Sequence, residues 1–194
     1  MSPESASDRE GPGPTLRTER LALRRWTEAD RAPFARMNAD PEVMRFFVRP
    51  LEPAESDTFV DRIEARFEIN GFGLWAVERR EDSVFLGFTG LAAQTFEAPF
   101  TPCVEVGWRL AREAWGHGYA TEAARAARAF GFGTAGLEEI VSFTTPLNVP
   151  SIRVMERLDM HRDPADDFDY PSIAGGHPLR RHVLYRLRKE EFHP

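Results

Sequence analysis

The strongest constraint on this chain is the stretch Trp115-Gly116-His117-Gly118-Tyr119-Ala120, followed directly by Thr121-Glu122-Ala123-Ala124. An apolar run, Val104 to Leu110, precedes it, and an alanine-rich segment that reads as a helix through about Phe132 follows. A strand, a short polar bend, two glycines and a helix start form a cradle for a phosphate or pyrophosphate. The glycines let the backbone turn its N–H groups outward, and the helix N-terminus adds partial positive charge. No lysine or arginine is needed for such a site.

Three readings of the stretch compete. One is an ordinary glycine-containing turn into a helix. A second is a dinucleotide site, because Gly116-x-Gly118 looks like the start of G-x-G-x-x-G. That pattern breaks: its third glycine falls at Thr121, Ala111 to Trp115 separate strand from glycine, and Glu138 and Glu139 precede the next apolar run instead of ending it. The third is a coenzyme A site. The stretch resembles the Q/R-x-x-G-x-G/A signature of the GCN5-related N-acetyltransferase (GNAT) superfamily, with Gly118 and Ala120 on the small-residue positions. Trp115 stands where glutamine or arginine is usual. The wider string W-G-H-G-Y-A-T-E-A looks like the branch containing the ribosomal-protein acetyltransferases RimJ and RimL.

A chain of 194 residues reads as one domain with room for a real core. A net charge of -6 argues against a nucleic-acid-binding surface, where a basic stripe is expected, and leaves a cationic substrate open. Cys103 is the only cysteine, which excludes an intrachain disulfide and a thiolate metal cluster; it reads as a small buried hydrophobe. No apolar stretch approaches membrane-spanning length, and residues 1–15 lack a signal-peptide core, so a cytoplasmic protein is expected.

Residues 1–14 read as a disordered tail and 15–194 as a single domain. Leu16, Leu21 and Leu23 suggest a first strand ending at Trp26. Thr27 and Asp30 read as a helix cap, with Phe34 and Met37 on its inner face. Asp40-Pro41 predicts a short helix carrying Val43, Met44, Phe46 and Phe47. A longer helix starts near Pro53, carries Phe59, Ile63 and Phe67, and ends at Asn70-Gly71. Then the period changes. Gly73 to Val77 and Val84 to Ala92 read as strands, and Val104 to Leu110 as a third, ahead of the glycine turn and its helix. In that helix Ala120, Ala123, Ala124, Ala127, Phe130 and Gly131 share one stripe. Ile140 to Thr145 predicts a strand, Val149 to Leu158 a short helix, Asp159 to Arg181 a long polar loop, and Val183 to Leu187 a final strand. This β-α-α-β-β-β-α-β-α-β order matches the GNAT fold, and the resemblance implies an α+β fold with a mostly antiparallel sheet flanked by helices. The resemblance runs from about Leu16 to Leu187.

What the resemblance implies is an acetyl-CoA-dependent N-acetyltransferase. It places the pantetheine arm alongside the strand end at Trp108, Arg109 and Leu110, and the pyrophosphate on the N–H groups of Gly116, His117, Gly118, Tyr119, Ala120 and Thr121. Trp115 opens this motif. A second motif, Asn148-x-x-Ser151 continuing to Arg157-Leu158-Asp159-Met160, looks like the family's N-x-x-S/A-x-x-x-x-x-K/R-L-G-M/F, with Asp159 replacing the glycine. Asn148 there contacts the pantetheine amide. Read on its residue type alone, Asn148 is an excellent helix N-cap. Many relatives carry a tyrosine general acid four residues after Ser151, but Met155 stands there and cannot donate a proton, which leaves Ser151 as the candidate acid. Glu105 is a carboxylate in an otherwise apolar strand, costly unless paired or hydrated. Relatives often carry a glutamate in this strand as general base acting through water; the competing reading is an ion pair across the sheet. The spacings of the histidines predict no metal site. Asp163, Asp166, Asp167 and Asp169 make the late loop acidic, as solvated surface or as the rim of a site for a cationic amine. The expected acceptor is a primary amine, on a protein N-terminus or on a small molecule such as an antibiotic; a catalytically idle acyl-CoA sensor is the alternative from another class. No nucleic-acid or membrane partner is expected, and homodimers are common among such relatives.

Overall fold

Residues 16 to 24 do not make the one strand their leucines suggest. In the computed structural model, which describes residues 14–193, they form β1 (Leu16–Arg17) and β2 (Leu21–Arg24), paired antiparallel across a bend. Thr18 makes the bend: its Oγ1 accepts the Leu21 N–H at 3.0 Å, the local side-chain bond that favours a turn over a continuous strand. The expected tail lies outside the described residues except for Pro14, whose carbonyl accepts the Trp75 indole N–H at 2.9 Å.

Helix α1 (Glu28–Ala39) starts where Thr27 and Asp30 place it. The Asp30 carboxylate accepts the Thr27 N–H at 2.8 Å and an Arg24 guanidinium N–H at 2.7 Å. Helix α2 (Pro53–Asn70) ends at Gly71 with φ 72°, the left-handed residue that closes a helix. The short helix expected after Asp40 does not form; residues 41–49 are turns and bends. Its apolar residues serve two environments: Val43 and Met44 enter the core at 7% and 2% exposure, while Phe47 stays 42% exposed. A segment without one apolar face lacks the packing that stabilises so short a helix.

Across the described residues the sheet runs β1-β2-β3-β4-β5-β6-β9-β7, with β3 (Leu74–Arg79), β4 (Val84–Gln94), β5 (Cys103–Leu110), β6 (Glu139–Thr144), β7 (His161–Arg162) and β9 (Arg181–Arg188). All neighbours are antiparallel except β5 and β6, which are parallel and in register only at Glu105 and Val141. Helix α3 (Tyr119–Gly133) lies on the sheet by its small-residue stripe, with Ala123, Ala124 and Ala127 fully buried. The approach is close: a Cβ at Gly131 would sit 2.8 Å from Ile140 Cδ1. Helix α4 (Val149–Arg157) follows β6.

The stretch from Asp159 to Arg181 is not one long loop. It contains β7, a short helical turn at Pro164–Asp166 and β8 (Phe168–Asp169), with β7 and β8 pairing to β9. Phe168, Val141 and Leu184 form a second core, against which Phe96, Phe100, Phe143 and Tyr170 pack. These aromatics are scattered in sequence, so no local period announces them.

Candidate active site

The parallel pair β5 and β6 opens a cleft. Beyond the Glu105–Val141 register the strands diverge, so Trp108, Arg109 and Leu110 pair with β4 alone, through Thr89, Phe88 and Gly87. Their other edge is a row of backbone donors and acceptors facing a cavity of about 1370 Å³. Trp108, Arg109, Leu110, Trp115, Gly116, Gly118, Tyr119, Ala120, Thr121, Asn148 and Ser151 all line this cavity. His117 and Glu105 are not among its lining residues.

The glycine turn has the geometry of an anion cradle. Gly116 and Gly118 have φ of 79° and 78°, the left-handed region that side chains resist, and Gly118 is the residue from which α3 starts. Among the described residues, the N–H groups of Gly116 through Thr121 meet no acceptor; the first in the turn or helix to do so is that of Glu122, bonded to the Gly118 carbonyl at 3.1 Å. A run of unsatisfied donors at a helix N-terminus fits the diphosphate of coenzyme A.

Two contacts hold the turn. The Trp115 indole N–H donates to the Leu110 carbonyl at 2.9 Å, tying the turn to the end of β5. This gives the tryptophan at the first motif position a structural role. Arg20, on the bend before β2, donates to the His117 carbonyl at 3.0 Å and lies over the Tyr119 ring at 4.7 Å. It also pairs with Glu122 at 2.6 Å, and Thr18 Oγ1 donates to the same carboxylate at 2.6 Å. Arg20 and Glu122 escaped the sequence reading because their partners are about a hundred residues apart. Arg45, Arg125, Arg153 and Arg157 also line the cavity, making its rim more basic than the net charge of -6 suggests.

Across the cleft, Asn148 caps α4: its Oδ1 accepts the Ser151 N–H at 3.3 Å and its Nδ2 donates to Thr144 Oγ1 at 3.0 Å. Ser151 reaches the cavity, whereas Met155 is 1% exposed and packs in the core. Asp159, standing where the family pattern has glycine, adopts φ 60°, and its carboxylate meets Arg128 at 3.2 Å. An aspartate tolerates that region better than most residues.

Glu105 is on the face of β5 that carries Gly107 and Arg109. Its Oε2 accepts the Gln94 amide N–H at 2.6 Å, so its partner across the sheet is neutral, and among the described residues it forms no ion pair. Burial pushes its carboxyl up to about 8, against the lowering effect of the Gln94 hydrogen bond. Cys103 is pushed up to about 11, chiefly by burial and further by Glu105, so it is a thiol at neutral pH. Three of the late aspartates are taken by arginines, Asp166 by Arg186 at 2.8 Å, Asp167 by Arg162 at 2.5 Å and Asp169 by Arg180 at 3.1 Å, while Asp163 accepts the Ala165 N–H at 2.9 Å and caps the short helical turn.

Residues 20–161 match the Acetyltransferase (GNAT) domain, and the chain belongs to that family. It is 33% identical over 147 residues to the uncharacterized protein YkkB of Bacillus subtilis (strain 168), covering 75% of this chain and 84% of that one. It is 33% identical over 149 residues to the FsC-acetyl coenzyme A-N(2)-transacetylase of Aspergillus fumigatus, covering 73% of this chain and 63% of that one. In fold it is similar to a GNAT-family acetyltransferase from Bacillus anthracis, with a TM-score of 0.76 at 24% identity over 91% of this chain and 99% of the other. The protein is thus an acetyl-CoA-dependent N-acetyltransferase.

Proposed function

We propose that the chain transfers acetyl from acetyl-CoA directly onto a primary amine, with no acetyl-enzyme stage. The observation that carries this reading is the convergence of three elements on one cavity: the unregistered end of β5, the donor run from Gly116 to Thr121, and Ser151 at the start of α4. The strand end from Trp108 to Leu110 orients the thioester, and a backbone N–H there answers charge developing on its oxygen. The turn holds the diphosphate. Glu105 takes one proton from the attacking ammonium through water, and as the C–S bond breaks Ser151 gives its proton to the thiolate and regains one from the nitrogen of the collapsing intermediate.

Direct transfer is favoured by the state of Cys103. Its thiol is raised to about 11 and it does not line the cavity, so it makes a poor covalent carrier. Trp115 at the first motif position supports a place in the RimJ/RimL-like branch, which brings protein N-termini into the acceptor set beside small amines. Incubating the protein with acetyl-CoA, peptides of varied N-terminus and small amines, then reading products by mass spectrometry, tests this. An acetylated amine matched by released thiol is expected. Tight coenzyme A binding with no acceptor consumed would favour a sensor instead.

A further inference from the structure

Arg109 is a charged side chain set among rings. Its guanidinium is 4.1 Å from the Phe47 ring centroid, 5.5 Å from Phe88 and 5.8 Å from Phe59. Its polar contact is Nη1 donating to Asn38 Oδ1 at 2.6 Å, and Asn38 is itself fully buried, bonded on to Ser56 Oγ at 2.9 Å. Arg109 Nε is buried with no hydrogen-bond partner. Among the described residues no carboxylate pairs with it, whereas Arg24, Arg31 and Arg186 each face two or more. The acid lining the cavity from the segment beside Phe47, Glu42, is turned to Arg45 at 3.6 Å. Desolvation with no acid to offset it lowers Arg109 to about 10. Burying a cation this way is costly unless an anion completes the site.

The surroundings indicate where that anion comes from. Arg109 lines the cavity, and its side chain lies on the same face of β5 as Glu105, because 105, 107 and 109 alternate to one side. Between them stands Gly107, whose added Cβ would meet only the Glu105 carboxylate, at 3.7 Å. The face therefore has an acid at one end, a guanidinium at the other and, over the glycine, no heavy atom but those of the Glu105 carboxyl within 4 Å of an added Cβ. Four residues of strand separate the ends by about 13 Å along the backbone, and both side chains can lean inward.

Resting on the acetyltransferase reading above, we propose that the acceptor carries a carboxylate received by Arg109, while its amine lies over Gly107 toward Glu105. The substrate class is an amino-acid-like amine. Arg109 then contributes specificity through its side chain while its backbone belongs to the strand edge that takes the cofactor.

The test compares wild type with Arg109→Met and Arg109→Lys on free amino acids and their carboxamides, with acetyl-CoA. A charge-assisted bond implies that wild type prefers the acid over its amide by roughly 10- to 100-fold in kcat/KM, mostly through KM. Arg109→Met brings that ratio to about one and Arg109→Lys restores part of it. As a measurement independent of turnover, benzoate raises the melting temperature of wild type and leaves that of Arg109→Met unmoved, while benzamide moves neither. Equal use of acids and amides by wild type, an unchanged ratio in Arg109→Met, or equal benzoate shifts in both proteins would overturn the proposal while leaving N-acetylation intact. Failure of every amine to be acetylated, with no melting shift from acetyl-CoA, instead counts against the acetyltransferase reading, and the benzoate comparison still decides the fate of Arg109.

Discussion

The Gln94 side-chain amide donates to Glu105 at 2.6 Å, and burial raises the Glu105 carboxyl to about 8 against the lowering effect of that bond. A carboxyl whose folded pKa lies above its unfolded one stabilises the fold fully below the unfolded value, near 4.5. That contribution is lost as pH rises toward 8. Glu105→Gln removes this slope, so the difference in melting temperature between variant and wild type should move in the variant's favour from pH 5 to pH 9. If Glu105 is the base, the rate of wild type climbs as it ionises near pH 8. Glu105→Gln should then bind acetyl-CoA normally, lose about 10²-fold or more in turnover, and recover part of it at high pH, where free amine needs no base. A variant that keeps the wild-type acid limb would remove Glu105 from the proton path.

The indole bond from Trp115 to Leu110 ties the glycine turn to the end of β5. Trp115→Phe keeps a ring and deletes the donor. Loss of such a bond costs about 1 kcal/mol, which lowers the melting temperature by about 2–4 °C for a chain of this size. Coenzyme A affinity should fall with it, since the turn is no longer tied to the strand end. Unchanged melting and affinity would show that the bond does not hold the cleft.

Asn148 has a capping role and an expected cofactor role, and two substitutions separate them. Asn148→Asp keeps an acceptor for the Ser151 N–H and loses the amide donor, so stability should hold while coenzyme A affinity drops. Asn148→Ala loses both and should also destabilise by about 1 kcal/mol. Equal coenzyme A affinity in wild type and Asn148→Asp would reduce Asn148 to a cap.

Ser151→Ala should leave cofactor affinity nearly unchanged and slow turnover by about 10²-fold, because a thiolate needs its proton only as the bond breaks. An unaltered rate, with chemistry limiting, would return Ser151 to the first turn of the helix.

The turn proposed to hold the cofactor is legible in the sequence because it is local. Gly116, Gly118 and the alanine stripe form a turn and a helix within one short stretch, and their requirements show in residue type. Thr27 with Asp30, and Gly71, were legible for the same reason. The surroundings of Arg109, proposed to receive the acceptor, are not. Arg109 read as strand backbone, and its isolation became visible only when Asn38, Phe47, Phe59 and Phe88 closed around it from four different segments. Asp40-Pro41 followed by Val43, Met44, Phe46 and Phe47 suggests a short helix, but Val43 and Met44 are buried while Phe47 is exposed, so no single apolar face exists to hold one. The short strands β7 and β8 carry too few residues for a period and exist because β9 offers them edges.

If the turn from Gly116 to Thr121 receives the diphosphate of coenzyme A, as proposed, binding should depend on Gly118. Gly118 has φ 78°, and a Cβ there would come no nearer than 3.7 Å to Arg20, so a side chain meets backbone strain but no clash with the fold. Gly118→Glu adds that strain, about 1–2 kcal/mol, and a negative charge in the cradle. Gly118→Ala adds the strain alone. Calorimetric titration of coenzyme A into wild type, Gly118→Ala and Gly118→Glu, each shown to be folded, measures the claim directly. Clear binding to wild type, weaker binding to Gly118→Ala and near-complete loss in Gly118→Glu are expected. Unchanged affinity in a folded Gly118→Glu protein would contradict the proposed role of the turn.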